Sequence, residues 1–129
     1  MWALVYISHE DEERISRILE MNILNKIMEC VNSDYEKLKI PALRTIGNLI
    51  NGPDDETIDI MIDHGIIETL ANSLQYKTMH VRKEAAWIIS NILAGKKTHV
   101  EQVFEYKDGE IFKTLFVLIK IDDKKVNLI

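Results

Sequence analysis

Apolar residues recur at three- and four-residue spacing along most of the chain, and polar or glycine-containing breaks divide that pattern into short helices. Leu24, Ile27 and Val31 share one face over 23–32, and Ala42, Ile46 and Leu49 share one over 39–50. Ile67, Leu70 and Leu74 do the same over 66–74, and Val81, Ala85, Ile88, Ile89 and Ile92 form a stripe over 81–93, closed by Gly95. Shorter helices are predicted at 10–20, 56–63, 98–106 and 110–120, and Met1 to Ser8 reads as the tail of another. Gly65, after His64, suits the left-handed position that ends a helix.

These helices repeat. At an offset of 43 residues, Pro41–Gly52 lies over Glu84–Gly95, with Ala42 on Ala85, Ile46 on Ile89, Asn48 on Asn91, Leu49 on Ile92 and Gly52 on Gly95. The same shift brings Leu24, Ile27 and Val31 onto Ile67, Leu70 and Leu74, and one extra residue carries those onto Ile111, Thr114 and Leu118. A period of about 40 to 47 residues marks a solenoid of two- or three-helix units. The expected organisation is one all-α segment over 1–129: a partial unit at 1–8, units at 10–52 and 54–95, and a partial unit at 98–129. The residues after Asp122 stop where the next third helix is due. Such a unit buries its apolar face only against its neighbours, so both ends should expose core surface.

Composition narrows the chemistry. The single cysteine, Cys30, excludes an internal disulfide and an all-cysteine metal site, and its apolar neighbours make it read as a small buried hydrophobe. The four histidines (His9, His64, His80, His99) show no zinc-binding spacing. Gly47 to Pro53 has the glycine spacing of a phosphate loop, but Pro53 stands where the lysine is needed. Ser8 and His9 are adjacent, which does not orient a nucleophile toward its base. Neither an enzyme site, a metal nor a cofactor is expected. A net charge of −5 argues against non-specific nucleic-acid binding and leaves room for a basic partner. Without a signal-peptide pattern or a membrane-length apolar run, the chain reads as intracellular and soluble.

The third-helix motif Ala-x-Trp-x-x-x-Asn-x-x-x-Gly at Ala85, Trp87, Asn91 and Gly95 resembles the armadillo repeats of the importin-α (karyopherin-α) family. Pro41–Gly52 is similar to that family's sixth repeat, Lys83–Gly95 to its seventh, and Trp2–Tyr6 to the end of its fifth, where a tyrosine takes the asparagine place; the chain then runs into the start of the eighth. The resemblance implies a right-handed superhelical armadillo solenoid, truncated at both ends. It also implies an adaptor that binds nuclear localisation signals for import and works in cytoplasm and nucleus. No basic autoinhibitory arm precedes the repeats in this sequence, so recruitment of an importin-β-type carrier does not follow.

The residues give that implication a physical form. Trp87 and Asn91, one turn apart, project together. An asparagine amide can hold both the N–H and the C=O of an extended peptide, and an indole face can carry the stem and charge of Lys or Arg. Trp87 is not needed to complete the apolar stripe of its helix, and Asn48 recurs where Asn is a poor helix former. By resemblance, Arg44 interrupts the tryptophan ladder between the larger and smaller peptide sites, Tyr6 stands at the end of the preceding repeat, and Glu84, Ser90, Thr57 and Asp54 match polar positions of the smaller site. Plainer readings exist for each: Trp87 in a core, Asn91 solvated, Arg44 paired with an acidic neighbour, Glu84 solvated, Asp54 an N-cap. A catenin-type scaffold for acidic extended partners is the main alternative, and a structural remnant without independent binding is another. The sign of charge along the third helices separates the first two, and the sides taken by Arg82 and Lys83 stay open.

Overall fold

The computed structural model describes residues 1–7, 12–51 and 55–126, with side chains described up to residue 120 except those of Tyr6, Ile7, Glu12 and Leu19. Helices α1 (Trp2–Ile7), α2 (Glu12–Glu20), α3 (Leu24–Val31), α4 (Glu36–Ile50), α5 (Asp55–Asp63), α6 (Ile66–Leu74), α7 (Met79–Leu93), α8 (Lys97–Glu105) and α9 (Glu110–Val126) follow in order, with a 3-10 turn at Tyr106–Asp108. No strand occurs among the described residues. The fold is an all-α solenoid of stacked helices. Helices α4 and α7 stack on each other with α1 on the far side of α4, and α3, α6 and α9 make a second row.

The periodic residues fill the core. Ile27, Leu43, Ile46, Leu49, Leu70, Leu74, Ile88, Ile89 and Ile92 are almost completely buried in one cluster that runs through both rows. Full burial of one such side chain contributes about 1.5–3 kcal/mol, so this cluster fixes how α4 meets α7. Ile66 is fully buried and Ile67 only partly, which widens the predicted face of α6. Cys30 is half-buried at the edge of the cluster and not fully enclosed as expected.

The long helices begin earlier than their apolar pattern. α4 starts at Glu36, which places Pro41 inside it, and α7 starts at Met79. Proline removes one N–H and disfavours the turn before it, yet here its ring is buried and the Thr45 hydroxyl donates to the Pro41 carbonyl at 2.8 Å. Contacts between units hold those first turns: the Thr78 hydroxyl donates to Glu36, and the Tyr76 hydroxyl donates to the Asp34 carbonyl at 3.3 Å. Lys39 donates to the Val31 carbonyl at 2.6 Å and lies 4.6 Å from the centre of the Tyr76 ring. Burial lowers the pKa of that lysine. Gly65, with φ +84°, joins α5 to α6 as its position predicted.

Two other details bear on the ends. α9 continues without a break past Asp122 to Val126. Phe116, Val117 and Ile119 on α9 and Phe104 on α8 are exposed. Between α5 and α8, the fully buried His99 binds the Asp59 carboxylate through Nε2 at 2.6 Å while its Nδ1 accepts the Lys96 N–H at 3.3 Å. None of the described helices is long and apolar enough to cross a membrane.

Candidate peptide-binding groove

The seam between α4 and α7 opens into a groove of about 350 Å³ lined by Arg44, Asn48, Lys83, Glu84 and Trp87. It exists because the apolar stripes of both helices turn into the core, leaving the residues between them to face outward. Val81, Ala85, Ile88, Ile89 and Ile92 are buried, whereas Trp87 on the same helix is 37% exposed.

The indole of Trp87 rests on the backbone of α4 at Gly47. A Cβ added at Gly47 would lie 2.1 Å from Cζ3 of that ring. A mid-helix glycine ordinarily costs about 1 kcal/mol relative to alanine; here it makes room for the ring. Gly47 is therefore the residue that sequence reasoning passed over. An isolated glycine inside a helical pattern is the signal that could have found it, since it often marks close approach.

Arg44 and Glu84 form a two-pronged ion pair across the seam. The Arg44 Nε donates to Oε2 of Glu84 at 3.1 Å, and its Nη2 donates to Oε1. The Glu84 hydrogen bond raises the pKa of Arg44 still further. Glu84 is 7% exposed, so it is neither a solvated helix glutamate nor an open acidic contact. Its Oε1 also lies 3.6 Å from Nε2 of His80, one turn earlier on α7. Lys83 faces the groove, while Arg82 turns away to donate to the Tyr76 carbonyl at 2.8 Å. Among the described residues, the groove walls thus carry two cations and one anion.

The two asparagines differ. Asn48, nearly buried, donates through Nδ2 to the Val5 carbonyl of α1 at 3.1 Å, so part of its amide links α4 to α1. Asn91 is half-buried, and its Nδ2 has no hydrogen-bond partner among the described residues. Buried amide donors rarely go unpaired, which singles out this one. The Ser90 hydroxyl donates to the Trp87 carbonyl at 2.6 Å on an exposed surface. Thr57, at 4% exposure, is packed inside α5 and away from the groove lining. Tyr6 belongs to α1, with its side chain outside the described residues, and Asp54 lies outside them altogether. The geometry therefore brings together Arg44, Asn48, Glu84 and Trp87, with Asn91 and Ser90 one turn on. No group of three or more His, Cys, Asp or Glu residues that could hold a metal ion occurs among the described residues.

Residues 54–94 match the family model described as Armadillo/beta-catenin-like repeat. The chain is 36% identical over 103 residues to importin subunit alpha-1a of Oryza sativa subsp. japonica, covering 79% of this chain and 19% of that one. It is 37% identical over 102 residues to importin subunit alpha-4 of Arabidopsis thaliana, again covering 79% and 19%. The chain thus spans about a fifth of the length of these curated relatives. Among solved structures, an engineered protein superposes with a TM-score of 0.85 at 31% identity, covering 96% of this chain and 50% of that one. A designed armadillo repeat protein in complex with peptide (KR)4 superposes with a TM-score of 0.82 at 24% identity, covering 92% and 48%.

Proposed function

We propose, for a chain that belongs to the armadillo-repeat family and has importin α subunits as its relatives, that this segment holds extended basic peptides along α4 and α7 as part of a nuclear-import adaptor. Residues 10–52 and 54–95 serve as its repeats, and the Trp87 groove corresponds to the smaller peptide site. The observation that carries the reading is a half-exposed indole seated on Gly47, one turn from an asparagine with a free amide donor. The ring face takes the stem of a Lys or Arg and attracts its charge, and the Asn91 amide holds the peptide backbone without regard to sequence. On this reading, which the similarity to importin α subunits supports, the segment acts in cytoplasm and nucleus on cargo peptides, without an enzymatic step.

The second reading, an acidic extended partner, draws support from Lys83 and Arg44 on the groove walls. A titration separates the two. A labelled Lys/Arg-rich peptide should bind, weaken as salt rises, and lose about tenfold in affinity in Trp87→Ala and severalfold in Asn91→Ala. Preference for a Glu-rich peptide would overturn the basic reading. Failure of a folded sample to bind either peptide would leave the segment a structural part only.

A further inference from the structure

The charges that line the groove are those of Arg44, Lys83 and Glu84, beside the neutral Asn48 and Trp87. Arg44 holds both oxygens of Glu84 and the carboxylate is buried, so that pair is closed to a ligand. Lys83 is left over. It is exposed, faces the groove and has no ion pair among the described residues. It stands four residues before Trp87 on α7, on the same face, with about 5–6 Å between the two Cβ atoms. A Lys or Arg laid on the Trp87 ring therefore meets an uncompensated ammonium one turn away. Like charges that close repel, and an added anion turns the repulsion into attraction.

We propose that the groove selects peptides of mixed charge: a Lys or Arg against the Trp87 ring, and an acidic side chain two residues away that pairs with Lys83. This inference rests on the peptide-binding function proposed above and names the class of peptide that the same groove takes. The spacing follows from the geometry of an extended chain. Alternate side chains leave on the same side, and two residues advance the chain by about 6.5–7 Å. That is close to the separation of Trp87 from Lys83, and the flexible lysine stem spans the difference.

The neighbouring charges leave this role to Lys83. Arg82, one residue earlier, is turned away to the Tyr76 carbonyl. Glu84, one residue later, already neutralises Arg44 and has no charge to spare for Lys83. A mixed-charge ligand also accounts for two features that a ligand of one sign leaves in conflict. The groove offers an aromatic platform suited to a cation, yet its lining carries one more positive than negative charge.

The test titrates the chain with three labelled peptides that share one arginine and carry glutamate, glutamine or arginine two positions from it. Each is made in both directions. In one direction the glutamate peptide should bind about threefold tighter than the glutamine peptide, as fits one ion pair near the surface. The arginine peptide should bind more weakly than either, and the preference should shrink as salt rises. Lys83→Gln should bring the affinities for the glutamate and glutamine peptides together, whereas Lys83→Arg should keep them apart. Equal affinities in the wild type, tightest binding by the arginine peptide, or a preference untouched by Lys83→Gln would each overturn the inference. The basic-peptide function survives those results if the glutamine peptide still binds and weakens in Trp87→Ala. Binding of no peptide by a folded sample would overturn both.

Discussion

Replacing Gly47 with alanine should separate the proposed peptide-binding role of Trp87 from any role in stability. The new Cβ would stand 2.1, 2.8 and 2.9 Å from Cζ3, Cη2 and Cε3 of the indole. Carbon atoms in contact sit about 3.5–4.0 Å apart, so the ring must retreat by about 1.5 Å or swing to another rotamer. An off-rotamer ring costs about 0.5–1.5 kcal/mol, and Gly→Ala inside a helix returns about 0.8–1.0 kcal/mol. The two nearly cancel, so the urea-derived stability should stay within about 1 kcal/mol of wild type. Peptide affinity should not stay. A lost cation–π platform is worth about 0.5–2 kcal/mol, or a two- to thirtyfold weaker dissociation constant at about 1.4 kcal/mol per tenfold. Measurements are best made with Trp2→Phe as background, because Trp2 is 50% exposed and would add its own emission. Titration of a labelled Lys/Arg-rich peptide, tryptophan emission and urea unfolding then read binding, ring position and stability in one protein. Unchanged emission and unchanged affinity would refute the seating of the ring on Gly47. A loss of several kcal/mol of stability would refute the claim that Trp87 is free of the core.

Breaking the Arg44–Glu84 pair should be asymmetric. Arg44→Ala leaves an enclosed carboxylate without its partner and should cost about 1–3 kcal/mol, whereas Glu84→Gln leaves a guanidinium that still reaches water and should cost clearly less. Urea unfolding of both variants checks this, and equal costs would mean the pair acts as an exposed one. The Asp59 cluster should show itself in acid. The hydrogen bond from His99 first, and the charge of Lys96 after it, hold the Asp59 carboxyl below the usual range. Its contribution is therefore complete above about pH 5 and is lost as pH falls below about 4, through the folded-state value. The stability gap between wild type and Asp59→Asn should be level from about pH 7 to 5 and then narrow; a gap already closed at about pH 5 would contradict the assignment.

The helices were largely legible because burial imposes a 3.6-residue rhythm on the order of apolar residues along the chain. Ala42, Ile46, Leu49, Ile88 and Ile92 are buried where that rhythm puts them, and the 43-residue offset brings equivalent turns of α4 and α7 side by side. The helix starts were less legible. Glu36 and Met79 open their helices because Thr78 and Tyr76 bond to the preceding unit, and a local pattern contains no record of a neighbour 42 residues away.

By itself, then, the sequence determined the all-α class, the repeat, the armadillo resemblance and the pairing of Trp87 with Asn91 on one turn, since each depends on spacing within a few residues or on a constant period. Only the tertiary structure decided what those side chains meet. Glu84 is closed by Arg44, Asn48 is partly spent on Val5, Lys83 faces inward to the groove and Gly47 seats the indole. These are contacts between helices about 40 residues apart in sequence, and their partners are set by how two apolar stripes pack, which fixes the rotation of each helix and so the side on which every intervening residue emerges.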